Sequence, residues 1–112
     1  MNELEKRVEN LEYHLRLLLK MSNAQKFPFD YLVVTKGLSE EEVNQLMNLC
    51  RKLELQHEEQ KAQGLLYYTD LLTLFAGQLN EKLDINETID AMLQQGLFPQ
   101  LMSDFKRLRA HL

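Results

Sequence analysis

MNELEKRVENLEYHLRLLLKM (residues 1–21) is the stretch on which the reading of the architecture turns. Met1, Leu4, Val8, Leu11, Leu15 and Leu18 recur in it at alternating spacings of three and four, the seam of a heptad helix. With Met1, Val8 and Leu15 at position a and Leu4, Leu11 and Leu18 at d, Glu5 and Glu12 fall at e, and Arg7 and His14 at g. Charges of opposite sign therefore flank the seam, as in a strand of a coiled coil. Asn2 suits the N-cap, accepting from the amide of Glu5, and Lys20 complements the negative end of the helix dipole. Up to Leu11 the remaining positions are nearly all polar; beyond it Tyr13, Leu17, Leu19 and Met21 widen the apolar surface. That widening predicts that the carboxyl end of the helix enters a globular body from which the rest projects. The plainer alternative is an amphipathic helix lying along its own core.

Outward from this segment, residues 22–26 read as a polar linker, and Phe27, Phe29, Tyr31 and Val33 alternate as a strand would. Pro28, however, suits the first turn of a helix, Lys36 its last turn and Gly37 the left-handed position beyond it, and no second strand-like segment exists to pair with. Residues 28–36 are therefore read as a short helix, with a strand as the competing assignment. Ser39 and Glu42 form a capping box, and Glu40, Glu41 and Glu42 put negative charge at the positive end of the next helix. Val43, Leu46, Met47, Cys50, Leu53 and His57 follow at helical spacing, up to a stop at Gly64. A further helix is predicted from about Thr69, with Leu71, Leu72, Phe75, Leu79 and Leu83 as its stripe and Gly77 admitting a close neighbour. Asp84 or Asn86 caps a short helix containing Ile89, Ala91, Met92 and Leu93, and Gly96 ends it. Pro99 opens the last helix, whose face carries Leu101, Met102, Phe105, Leu108 and Leu112. The sum is an all-α helical bundle in one domain, with an oligomerisation helix over 1–22 and a helical body over 27–112.

Composition supports this. A chain of 112 residues with 45% hydrophobic and 27% charged residues closes one modest core. A net charge of −4 lacks the cationic excess that phosphate neutralisation requires. The lone Cys50 has no internal disulfide partner, and Met1 is followed by charged residues instead of a signal peptide's apolar core, which together predict a cytoplasmic protein. The most apolar stretch, Leu65 to Leu79, is too short for a bilayer span and is interrupted by Asp70, Thr73 and Gln78.

The opening heptads, FPFDYLVVTKGLSEEE (27–42) and LDINETIDAMLQQGLFPQLMSDFKRL (83–108) occur together in this order. In them the chain resembles, over its whole length, the YhaI-like family of small uncharacterised proteins from bacilli, a domain of unknown function. The resemblance implies a helical fold and a bacterial cytoplasmic origin, and carries no catalytic residues.

Candidate chemistry is sparse. Glu54, His57 and Glu58 share one helical turn, and E-x-x-H is half of a carboxylate-bridged di-metal site, but the second half is missing. His14 and His111 have no acid three positions before them. No metal or cofactor is expected, and His57 reads as a partly covered histidine satisfied locally. Cys50 lies on the apolar stripe, where burial suppresses the thiolate. With no phosphate loop, nucleophile elbow or H-E-x-x-H, catalysis is not expected. Thr88 to Arg109 gives helix, turn and a helix bearing Lys106, Arg107 and Arg109, a loose likeness to a helix-turn-helix DNA-binding regulator. Recognition helices read bases with their first residues, whereas these cations come last. The favoured expectation is a homodimer or homotrimer acting as a protein-interaction, regulatory or adaptor module, with Met1, Leu4, Val8, Leu11, Leu15 and Leu18 as the interface.

Overall fold

Asn2 accepts a 2.8 Å hydrogen bond from the Glu5 amide on its side-chain oxygen, and the first helix, α1 (Glu3–Met21), runs from this cap. It is the first of six helices in the computed structural model, which describes residues 2–110; among the described residues there is no strand. Met1, His111 and Leu112 lie outside that range, so the first a position of the seam and the last residue of the final stripe are not part of the description.

The contested segment is helical. In α2 (Pro28–Lys36), Pro28 occupies the first turn and Gly37, at φ +70°, donates its amide to the Val33 carbonyl, closing the helix in the conformation glycine tolerates best. Helical period, in place of strand alternation, buries Phe29 and Leu32 and turns Phe27, Tyr31 and Val34 outward. Phe27 offers no side-chain cap. The orphan amides of Phe29 and Asp30 are instead taken by Gln95 Oε1, at 2.8 and 3.1 Å, so another helix supplies what the local sequence lacks.

The capping box forms as read. Ser39 Oγ accepts from the Glu42 amide at 3.1 Å, and Glu42 Oε1 accepts from the Ser39 amide at 2.9 Å, starting α3 (Glu40–Ala62). The next helix, α4 (Thr69–Gln78), is shorter than its apolar stripe suggests. Asn80 ends it by making a turn of its own: its side-chain oxygen accepts from Lys82 and its carbonyl from Leu83, each at 2.9 Å. Leu83 still reaches the core, from the turn instead of from the helix. Gly77 has no close neighbour, since a Cβ built on it meets nothing within 4 Å. Asp84 is the cap of α5 (Ile85–Gln95), accepting from the Glu87 amide at 2.9 Å, and Gly96 at φ +79° ends it. α6 (Pro99–Arg109) follows Phe98, whose φ of +48° is left-handed without being glycine. That conformation costs roughly 1–2 kcal/mol, offset by the packing of Phe98 on the core.

Five of the helices share one apolar cluster. α5 packs on α6 and α2, α3 packs on α4, and α6 touches both α3 and α4. Phe29, Leu53, Leu71, Phe75, Ile89, Met92 and Phe105 are fully buried, with the Phe75 and Phe105 rings 5.3 Å apart. α1 contributes no buried residue. Its carboxyl end does not enter the body, contrary to expectation: Tyr13, Leu17 and Met21 are exposed, Met21 by 79%. The reason is that α2 to α6 already cover one another, leaving no inward face for it. The molecule measures 61 × 24 × 22 Å with a radius of gyration of 17.1 Å, against about 13 Å for a compact chain of this length.

Glu42 also receives Lys82 Nζ at 2.8 Å and Asn80 Nδ2 at 2.7 Å, tying the start of α3 to the α4–α5 turn. The bound ammonium first, then the Ser39 amide and Asn80, hold its carboxyl down at about 2 from an ordinary 4.5. A carboxyl lowered by folding adds stability above its unfolded value, and that stability drains as pH falls toward the folded one. Unfolding measured between pH 5 and about 2 should show this loss, and Glu42→Gln should flatten the dependence in that window.

Candidate functional site

Three places carry features that chemistry or binding could use. The first is α1. Its cap and last-turn Lys20 favour the helix from inside the segment, yet every described residue of the seam is open: Leu4, Val8, Leu11, Leu15 and Leu18 are 44–67% exposed. Sequence reading named all five. What it missed is the neighbouring stripe on α2, where Phe27, Tyr31 and Val34 stand exposed at helical spacing. Together with Leu15, Leu18 and Leu19 they line a groove of about 430 Å³ between the end of α1 and α2. The spacing of four and three was legible once residues 28–36 are taken as a helix; the strand-like alternation of Phe27, Phe29, Tyr31 and Val33 obscured it. Around Leu4 and Val8 the surface carries Glu5, Glu9 and Glu12 instead.

The second is His57. It is buried rather than partly covered, and its partner is remote in sequence: Nε2 lies 2.7 Å from Asp104 Oδ2, and the ring sits 4.3 Å from that of Tyr68. A carboxylate acceptor fixes the proton on Nε2. Asp104 uses its other oxygen for Arg107, at 3.1 Å. Glu54 and Glu58 line a small cavity beside the imidazole with Pro99, Gln100 and Leu101, but among the described residues no three His, Cys, Asp or Glu side chains converge as a metal site would require. What the arrangement does is pin α6 to α3 across the core edge.

The third is the helix pair α5–α6. Its cations are engaged with acids of the same pair: Arg109 with Asp90 at 2.6 Å, Lys106 with Asp90 at 3.5 Å and Arg107 with Asp104 at 3.1 Å. Leu101 and Met102, in the first turn of α6 where a recognition helix would read bases, are buried. Cys50 is buried too, and desolvation pushes its thiol up to about 12, leaving negligible thiolate at neutral pH. No helix is long and apolar enough to cross a membrane among the described residues.

If the His57–Asp104 bond holds the α3–α6 contact, removing the acceptor should leave a buried N–H without a partner. Asp104→Ala should then cost about 1–3 kcal/mol, seen as an earlier midpoint in denaturant unfolding. Asp104→Asn keeps an acceptor oxygen and should cost less than Asp104→Ala; no loss in either variant would show that the bond contributes nothing to stability.

A family model matches residues 1–110 of this chain, which spans the α1 seam, the α2 groove and the whole helical body. The chain therefore belongs to the family described as Protein of unknown function (DUF1878).

Proposed function

We propose that the protein is a homo-oligomeric interaction module, of a regulatory or adaptor kind, that works by stoichiometric binding and carries no catalysis. The observation that supports this most is the open seam of α1. Five aliphatic side chains aligned on one stripe, flanked by Glu5, Glu12, Arg7 and His14, match a coiled-coil strand without its mate. A helix of 19 residues standing alone is marginal in water, and a neighbouring copy would cover its apolar stripe. The paired cations and the buried first turn of α6 make a DNA-reading role the weaker alternative. A cytoplasmic setting and a bacillar origin, suggested by the free buried Cys50 and by the likeness to the YhaI-like proteins, belong to the same proposal.

Magnitudes say how much α1 alone can deliver. Seam residues about half exposed in the monomer gain on the order of 1 kcal/mol each when covered, hence on the order of 10 kcal/mol for the stripes of two copies. Association itself costs roughly 4–15 kcal/mol. The gain falls within the range of the cost, so the seam alone gives a weak assembly at most. Val8 at a with leucine at each d position leans toward a dimer, whereas Leu15 at a leans away from it, so the module is a homodimer or a homotrimer.

Light scattering at micromolar concentration should give a mass of two or three chains for the wild type. Val8→Asp/Leu11→Asp puts carboxylates where the seam is dry, at a cost of several kcal/mol, on the order of the whole interface, and should give a monomer. A monomeric wild type, or a variant of unchanged mass, would refute the reading.

A further inference from the structure

The charges beside the seam specify an orientation, and the groove beside α2 specifies where the interface continues. In a parallel, in-register pair, a g residue of one helix faces the e residue five positions on in the other, which sets Arg7 against Glu12 of the neighbouring copy in both directions. Reversing one helix sets e against e and g against g: Glu5 and Glu12 meet glutamates, and Arg7 and His14 meet each other. Like charges so placed oppose assembly and discriminate between orientations even where each pair adds little affinity.

The flanking positions then change character. After Glu5 and Glu12 the next e residue is Leu19, and after Arg7 and His14 the next g residue is Met21. This change falls where α1 meets α2, and Leu19 itself lines the groove with Leu15, Leu18, Phe27, Tyr31 and Val34. Almost the whole lining is apolar, with Asp30 its one charged residue. Resting on the reading of α1 as an oligomerisation helix, we propose that copies lie parallel and in register, and that the carboxyl end of each α1, through Met21, closes the groove between α1 and α2 of its neighbour. Only the parallel arrangement puts all bodies at one end of the coil, with groove beside groove. The antiparallel one would set the groove against the charged opening turns, near Glu5 and Glu9, and leave it open.

The area argues the same way. A stable interface buries at least about 1,000 Å², which the short seam approaches without exceeding. Phe27 and Tyr31, 54% and 39% exposed, add on the order of 100 Å² apiece from each copy.

Two measurements test this on the full chain. Leu4→Cys/Leu18→Cys, oxidised by oxidised glutathione and mapped by peptide mass, should link position 4 to 4 and 18 to 18; Cys50 stays out of the exchange because it is buried. Links between 4 and 18 would overturn the parallel arrangement. Tyr31→Lys/Val34→Lys changes side chains that the single chain leaves exposed. It should raise the concentration at which the assembly half-dissociates by about 100-fold, equivalent to two tenfold steps in affinity, with the helical circular dichroism unchanged. An unchanged half-dissociation concentration would overturn the groove's part while leaving the α1 reading standing. If the lysines disturb α2, Tyr31→Ser/Val34→Ser carries the same comparison, with a smaller rise expected and no rise fatal. A wild type that is monomeric throughout removes the reading of α1 and this inference together.

Discussion

The helices α2 to α6 satisfy one another, and that closure constrains everything else about the molecule. Their apolar faces meet in a single cluster centred on Phe75, Phe105, Ile89 and Met92, so no inward surface is left for α1 to occupy. A helix in that position keeps its aliphatic side chains in water at a cost that scales with their area. The cap at Asn2 and the charges of its first and last turns contribute to holding α1 as a helix, but such local terms are each worth only about 1 kcal/mol or less. The apolar stripe is therefore the largest unmet demand in the chain.

The polar contacts of the body set where that demand can be met. Gln95 caps α2 from α5, and Gln94 holds the carbonyl of Gln25 in the segment between α1 and α2, at 3.2 Å. Ser22 returns its hydroxyl to the Leu19 carbonyl at 2.9 Å, closing the end of α1. Through these bonds the outer face of α2 and the last turn of α1 stand at the two sides of one groove. His57 with Asp104, and Glu42 with Lys82 and Asn80, fix the far side of the body in the same manner. Each joins residues at least 38 apart in sequence, so the body's shape depends on polar partners that only folding brings together.

Much of this was legible from the residues. The caps at Asn2, Ser39 and Asp84, the stops at Gly37 and Gly96, and the apolar stripes are local signals, and the helices follow them. Where local signals competed, the chain chose by rules that act beyond a window of periodicity. The stripe running through Leu79 and Leu83 outlasted its helix because Asn80 captured the backbone in a turn. The broad apolar end of α1 suggested burial, but exposure was settled by five other helices having covered their own faces. His57 was matched by residue type yet not by partner, since nothing within one turn of it announces Asp104. The α2 face of Phe27, Tyr31 and Val34 was hidden by a strand-like alternation that happens to include two of the outward positions and the inward Phe29. Candidate chemistry fares differently: half motifs such as Glu54 with His57 are weak in sequence because a second helix must supply the rest.

The claim at the centre of this account is that α1 is covered by another copy of the chain, and amide hydrogen exchange across a dilution series tests it most directly. A lone amphipathic helix opens with almost no free-energy cost, whereas a helix buried in an interface is protected in proportion to how much of the assembly is formed. The amides of residues 8–20 should be protected at high protein concentration and lose that protection on dilution, while those of α3 and α6 keep theirs. Protection of α1 that does not depend on concentration, or no protection at any concentration, would contradict the account.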